Sequence, residues 1–167
     1  MDPNLRQKLI KLGASGASAV VIAVALVSHY EGRRYVPYLD PVGIPTVCAG
    51  ITGADVVWGR RYTPAECDEL EAKHLRIAEQ AVKRLINNYE NLERWQQAAL
   101  LDFTFNTGST ALAGSTLRKM FNSGNVVGGC NELLKWKKAR VKGQLTVLAG
   151  LVKRRDAENE LCLYWKD

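Results

Sequence analysis

The 167-residue chain carries 23 Lys and Arg against 17 Asp and Glu, for a formal net charge of +6. With 47% hydrophobic and 24% charged residues it is neither a disordered polyelectrolyte nor a fibrous repeat, and its length suits one domain with a real core. The basic balance favours acidic partners, whether nucleic acid, anionic lipid or an anionic wall polymer, without choosing among them.

Arg6, Lys8 and Lys11 precede a stretch from Leu12 to Tyr30 that contains no Asp, Glu, Lys or Arg. Basic residues ahead of an apolar run place the N-terminus on the cytoplasmic side of a membrane and the rest of the chain across it. The run LGASGASAVVIAVALV, Leu12 to Val27, is of unusual quality: 9 of its 16 residues are Ala, Gly or Ser. A stable spanning helix needs about 20 predominantly apolar residues, so the hold of this one on a bilayer is marginal. Three readings stay open on composition: a cleaved signal peptide with Ala23-Val24-Ala25 as its site, a buried core helix, and an export anchor that later leaves the membrane.

Residues 30–52, rich in Gly, Pro and β-formers, read as turns and a short β-hairpin. Thr63-Pro64-Ala65-Glu66 starts a helix, with Thr63 as N-cap and Glu66 completing a capping box, and the amphipathic pattern runs to about Ile86. Asn91 is the expected cap of a second helix through Trp95, Leu100, Phe103 and Phe105 to a stop at Gly108; being apolar nearly all round, it belongs at the centre of the core. Shorter helices are expected over Ser115–Phe121 and Val126–Lys138, and a last one from about Thr146 to Tyr164. Cys48, Cys67, Cys130 and Cys162 match no compact metal motif; they fit two disulfides in any of three pairings, or four buried thiols.

The chemistry is expected in Glu31 to Thr46, EGRRYVPYLDPVGIPT. Glu31 sits at the end of the apolar run with Gly32 as its C-cap. A carboxyl group there is partly screened from water, and burial favours the neutral form that a general acid requires. Asp40 lies on the hairpin nine positions on, and Thr46 six further on. Glycoside hydrolysis uses two carboxyl groups flanking the bond to be cut. Spacing alone equally allows Glu31 to pair with Arg33 or Arg34, and Asp40 to start a turn before Pro41.

This segment resembles the active-site signature of phage lysozymes (endolysins, glycoside hydrolase family twenty-four): Glu, eight residues, Asp or Cys, five residues, Thr. Glu31, Asp40 and Thr46 match it without a gap, and Tyr35, Pro37-Tyr38, Gly43 and Thr46-Val47 match around them. FTFNTG at Phe103–Gly108, STLRKMFNSG at Ser115–Gly124 and GLVKRRDAENEL at Gly150–Leu161 resemble further motifs of the family. One departure is Cys48-Ala49-Gly50-Ile51-Thr52, where many members read Gly-Tyr-Gly-His-Thr.

The resemblance implies an α+β, mostly helical, lysozyme-like fold with a small N-terminal sheet and a helical lobe around a central buried helix. It implies a muramidase that hydrolyses the β-1,4 bond between N-acetylmuramic acid and N-acetylglucosamine in peptidoglycan, for host lysis, with Glu31 as acid and Asp40, with Thr46, either activating the water or stabilising the charged sugar; Thr46 as a water holder favours inversion over retention, and the carboxyl separation decides between them. In the family an Arg of the last motif pairs with the acid; Arg155 is the better match here and Arg154 its neighbour. Asn106 and Arg155 are expected to bind substrate. No metal or organic cofactor is expected.

The Gly/Ala/Ser-rich run also resembles the anchor of signal-arrest-release members. That implies residues 1–28 as a signal-anchor and 29–167 as catalytic domain, with residues 12–27 in the host inner membrane before release to the periplasm. A monomer that does not bind nucleic acid is expected. With no cysteine in the anchor, control by thiol exchange is excluded, and the four cysteines are expected to be structural, Cys48 with Cys67 and Cys130 with Cys162. A lytic transglycosylase, a non-catalytic wall-binding module and a DNA-binding protein are the rival readings; the first lacks need of Asp40, and the second leaves the Glu, Asp, Thr set without a use.

Overall fold

The computed structural model describes residues 1–165. The N-terminal stretch forms two helices rather than one. Asp2 caps α1, Pro3–Ala14, by accepting the N–H groups of Asn4 and Leu5. The chain then breaks at Ser15-Gly16-Ala17-Ser18, with Gly16 in the left-handed region and Ser18 capping α2, Ala19–Glu31. The apolar run is thus split by its own small polar residues, because Ser and Gly favour caps and turns over helix interiors. No helix among the described residues is long and apolar enough to cross a membrane.

A three-stranded antiparallel sheet follows: β1 (Arg34–Leu39), β2 (Pro45–Cys48) and β3 (Ile51–Thr52), in the order β1-β2-β3. The expected capping box is present on α3, Pro64–Leu85, where Thr63 Oγ1 accepts the Glu66 N–H and Glu66 returns the bond to the Thr63 N–H. The central helix α4 is Arg94–Thr107, capped by Glu93, two residues later than the expected cap Asn91. Asn91 belongs instead to a 3₁₀ turn at Tyr89–Asn91, and the Gln96 side chain accepts from the Glu93 N–H to close the helix start.

α5 (Ser109–Gly114), α6 (Thr116–Asn122) and α7 (Val126–Glu132) are short, and α8 spans Ala149–Tyr164. The two expected helices that flank residue 140 overreach, because a second hairpin lies between α7 and α8: β4 (Lys138–Val141) and β5 (Gln144–Val147). Its two-residue turn is Lys142-Gly143, both at positive φ, the geometry that suits the twist of paired strands.

α4 is the hub: Trp95, Ala98 to Leu101 and Phe103 are buried, and α2, α3 and α8 pack around it. From the N-terminal run, Leu5, Leu9, Ile22, Ala23, Ala25, Leu26 and Val27 all join this core. The α+β, mostly helical arrangement is the expected one, with the small sheet at one side of the helical lobe.

Two disulfides, Cys48–Cys67 and Cys130–Cys162, are formed, the pairing expected from the resemblance. The first ties the β2 end to α3, the second ties α7 to α8. Closing loops of 19 and 32 residues, each contributes about 3 kcal/mol through the unfolded chain.

Candidate active site

Glu31 is the last residue of α2, and Gly32 stops the helix with a positive φ. The sheet approaches it through the β2–β3 turn. Gly50 sits there at φ +78, where a Cβ would lie 2.9 Å from the Glu31 Cδ. Glu71, buried on α3, fixes that turn: its Oε1 accepts the Ala49 N–H at 3.1 Å and its Oε2 the Arg33 guanidinium at 2.7 Å. Arg33 therefore pairs with Glu71 and Asp68 rather than with Glu31.

On the helical side, Arg154 binds the Glu31 carboxylate through Nη1 while its Nε and Nη2 fork onto Asp102 of α4 at 2.9 and 2.7 Å. The expectation that Arg155 makes this pair is corrected. Successive residues on a helix point about 100° apart, and here Arg154 faces α2. Arg155 turns toward α4, fully buried, with its guanidinium over the Phe103 ring. It acts one step removed: its Nη2 donates to Asn106 Oδ1 at 2.8 Å, which turns the Asn106 amide nitrogen toward Glu31 Oε1, 3.4 Å away. Buried as it is, Arg155 presents nothing to a ligand.

Asp40 opens the β1–β2 turn, and its Oδ1 accepts the N–H groups of Val42 and Ile44 at 2.9 and 2.8 Å. Its Oδ2 has no protein partner among the described residues. Thr46 is buried on β2, and its hydroxyl donates to the Ile44 carbonyl at 2.9 Å. Tyr38, opposite Thr46 in the β1–β2 register, brings the two carboxylates into one field. Partial burial raises its phenol pKa, and the negative charges of Glu31 and Asp40 add to the rise.

Two site residues were missed in sequence: Asp102 and Glu158, both fully buried. A lone Asp inside the apolar helix 94–107 was the available signal for the first. Burial by itself would raise the Asp102 pKa, but the Arg154 guanidinium overrides it and holds the carboxyl below its usual range. Burial pushes Glu158 well above the usual carboxylate range; Arg155 opposes the rise, and the neighbouring Asp102 charge adds to it. Among the described residues no cluster of His, Cys, Asp or Glu is arranged to hold a metal.

A folded-state pKa raised above 4.5 means that Glu158 contributes stability in full below that value, and that the contribution is lost as pH rises. Glu158→Gln, which keeps the shape of the protonated side chain, is therefore expected to come closest to wild type at about pH 4 and to gain on it in melting temperature as pH rises. Thermal denaturation followed against pH checks it; parallel curves for the two proteins would contradict a raised Glu158 pKa.

The family model for phage lysozyme matches residues 28–158, most of the chain. The chain belongs to the phage lysozyme family. It is a glycoside hydrolase, an endolysin muramidase of host lysis with peptidoglycan as substrate. Among relatives, this lysozyme is 36% identical to the SAR-endolysin of Enterobacteria phage P21 over 172 residues, covering 98% of each chain. It is 38% identical to that of Pseudomonas phage phiKMV over 151 residues, 90% of this chain and 89% of the relative.

Among solved structures, the lysozyme superposes on the endolysin from Escherichia coli O157:H7 phage FAHEc1 with a TM-score of 0.77 at 29% identity, over 85% of this chain and 90% of that one. The active form of P1 phage endolysin Lyz gives 0.75 over 95% of this chain and 93% of that one. The secreted inactive form of the same protein gives 0.51 over 66% and 75%. Both P1 chains are 24% identical to this one, so they speak to fold alone.

Proposed function

We propose that the lysozyme cleaves the β-1,4 bond between N-acetylmuramic acid and N-acetylglucosamine with Glu31 as general acid and Asp40 and Thr46 directing the attacking water. The observation that carries this is the mounting of Glu31: it is held from behind by Arg154 and Asn106 and pressed from the front by the Gly50 turn. A carboxyl group so fixed can meet a leaving oxygen without first being ordered, which is where much of the rate of an oriented reaction comes from. Thr46 has its hydroxyl proton committed to Ile44, so toward a water its oxygen can only accept. Asp40 has one oxygen tied to the backbone and the other left for the same water. A water held by two acceptors is oriented to attack through its free lone pair, the requirement of inversion. Asn106 lines the cleft next to the acid.

Purified protein and its Glu31→Gln variant, added to outer-membrane-permeabilised Gram-negative cells, test the assignment by turbidity. Wild type is expected to clear the suspension and the variant to be slower by about 10²–10⁴-fold. Equal clearing would remove Glu31 from the role of acid. Detection of an anhydro sugar product would assign the chain a transglycosylase reaction instead.

We further propose that residues 1–28 act as a signal-anchor ahead of a catalytic domain at 29–167. Residues 12–27 sit in the host inner membrane first, and the protein works as a monomer in the periplasm after release. The SAR-endolysin names of relatives matched over nearly the whole chain support this, as does the weak hydrophobicity of the run. The packing of α1 and α2 into the core fits the released state. Because Glu31 ends α2, a bilayer that holds α2 also withholds the acid.

Gly13→Leu would be an ambiguous probe, since a Cβ there meets the Trp95 ring at 2.8 Å and so damages the released fold too. Ala14 and Ser15 are exposed in the folded protein. Ala14→Leu with Ser15→Leu is expected to shift the protein toward the membrane fraction and delay lysis while leaving the melting temperature of purified protein unchanged. Unaltered fractionation would argue against an anchor.

A further inference from the structure

Residues 136–153, WKKARVKGQLTVLAGLVK, contain five Lys or Arg and no Asp or Glu. The β4–β5 hairpin lies at their centre. The nearest acid before it, Glu132, is already paired with Lys135 at 2.5 Å. Among the described residues, Lys137, Lys138, Arg140 and Lys142 form no ion pair. Arg140 reaches only the Gly143 carbonyl of its own turn, at 3.2 Å. The field of this ribbon is therefore uncompensated by any ion pair among the described residues.

The register gives the ribbon two unlike faces. Cross-strand partners share a face, so Lys138 with Val147 and Arg140 with Leu145 stand together on one side. All four of these residues are exposed, Leu145 at 61% and Val147 at 50%. The other side carries Ala139 and Val141, which are half-buried. Two cations alternating with two aliphatics on an open face have a chemical meaning. A carbohydrate or a nucleic acid would use the cations and find no use for Leu145 and Val147. A bilayer rich in anionic phospholipid uses both: phosphates take the cations, and the acyl boundary takes the aliphatic side chains.

We propose that this face of the β4–β5 hairpin docks the folded lysozyme on an anionic phospholipid surface. Docking here is separate from the N-terminal run, and none of the four side chains forms a hydrogen bond or ion pair with Glu31, Asp40 or Thr46. The hairpin leads directly into α8, where Arg154 lies five residues after Ala149, about 8 Å of helix rise. Contact with the membrane thus sets how far from the bilayer the cleft stands.

Sedimentation of full-length, folded protein with vesicles of phosphatidylcholine alone, or of phosphatidylcholine containing phosphatidylglycerol, tests the proposal. Binding is expected on the phosphatidylglycerol vesicles and to weaken as salt shortens the Debye length from about 10 Å to about 3 Å. Lys138→Glu with Arg140→Glu is expected to weaken it at least about tenfold. Leu145→Ser with Val147→Ser tests the apolar half and is expected to weaken it at constant charge. Melting temperature and turnover of soluble glycan fragments are expected to stay at wild-type values in both variants. Equal binding to both vesicle types, unmoved by the hairpin variants, would assign binding to α1 and α2 and overturn the proposal. Retention on purified sacculi but not on vesicles, lost in the charge variant, would overturn it in favour of an acidic wall polymer.

Discussion

Replacing Arg154 with Met is expected to lower the stability of the lysozyme by about 3–5 kcal/mol and its melting temperature by roughly 10–15 °C. Arg154 is buried and answers two carboxylates at once, Asp102 through a fork and Glu31 through its remaining nitrogen. Without it, Asp102 stays in the middle of the helical lobe as a charge with no adequate partner, and the cost is that of the orphaned ion rather than of one lost bond. Arg154→Lys keeps the charge but not the fork, and is expected to fall between the two. Activity should fall further than stability accounts for, since Glu31 loses its rear support. Denaturation followed by circular dichroism, with turbidity assays well below each melting point, separates the two effects. A stability loss under about 1 kcal/mol would show that the buried pair is not organised as described.

Gly50→Ala is expected to cost about 1–2 kcal/mol of stability from its left-handed backbone, and about 100-fold in rate from what its methyl touches. The added carbon meets the Glu31 Cδ, Cγ and Oε2 at 2.9, 3.0 and 3.2 Å, so the carboxyl group must move. Gly59 is a matched control: it has the same φ of +78, and a Cβ there meets nothing within 4 Å. Gly59→Ala should therefore show the strain and keep the rate. If both variants lose activity alike, the loss belongs to general destabilisation of the sheet and not to displacement of the acid.

What could be read in the sequence divides by the range of the forces involved. The α3 start was legible because Thr63 and Glu66 bond within one turn. The central place of α4 was legible because an all-apolar helix has nowhere else to go. The β4–β5 hairpin was not: its strands are exposed and carry no apolar alternation strong enough to break a helical pattern, so only Lys142-Gly143 announced it. The choice between Arg154 and Arg155 was not legible either, because neighbours on a helix differ by 100° and only the position of α8 against α2 decides which one faces Glu31. Asp102 was marked only as a lone Asp inside an apolar helix and Glu158 by no local signal, since their state depends on burial between elements far apart in sequence. Asp40 and Thr46 could be placed on a hairpin, yet the bonds that tie them to Val42 and Ile44 emerge only from the turn itself.

The link between Glu31 and Arg154 also sets a clock. The two residues are separated by 123 positions, so the acid is synthesised well before its partner. At about 5–20 residues per second, the interval is roughly 6–25 s. Until α8 is made, Asp102 has no Arg154 to answer it and the helical lobe cannot close. A chain stopped anywhere before that last helix carries Glu31 without the Arg154 that holds it. Chain order alone thus makes the mounting of the acid the last part of the site to be completed.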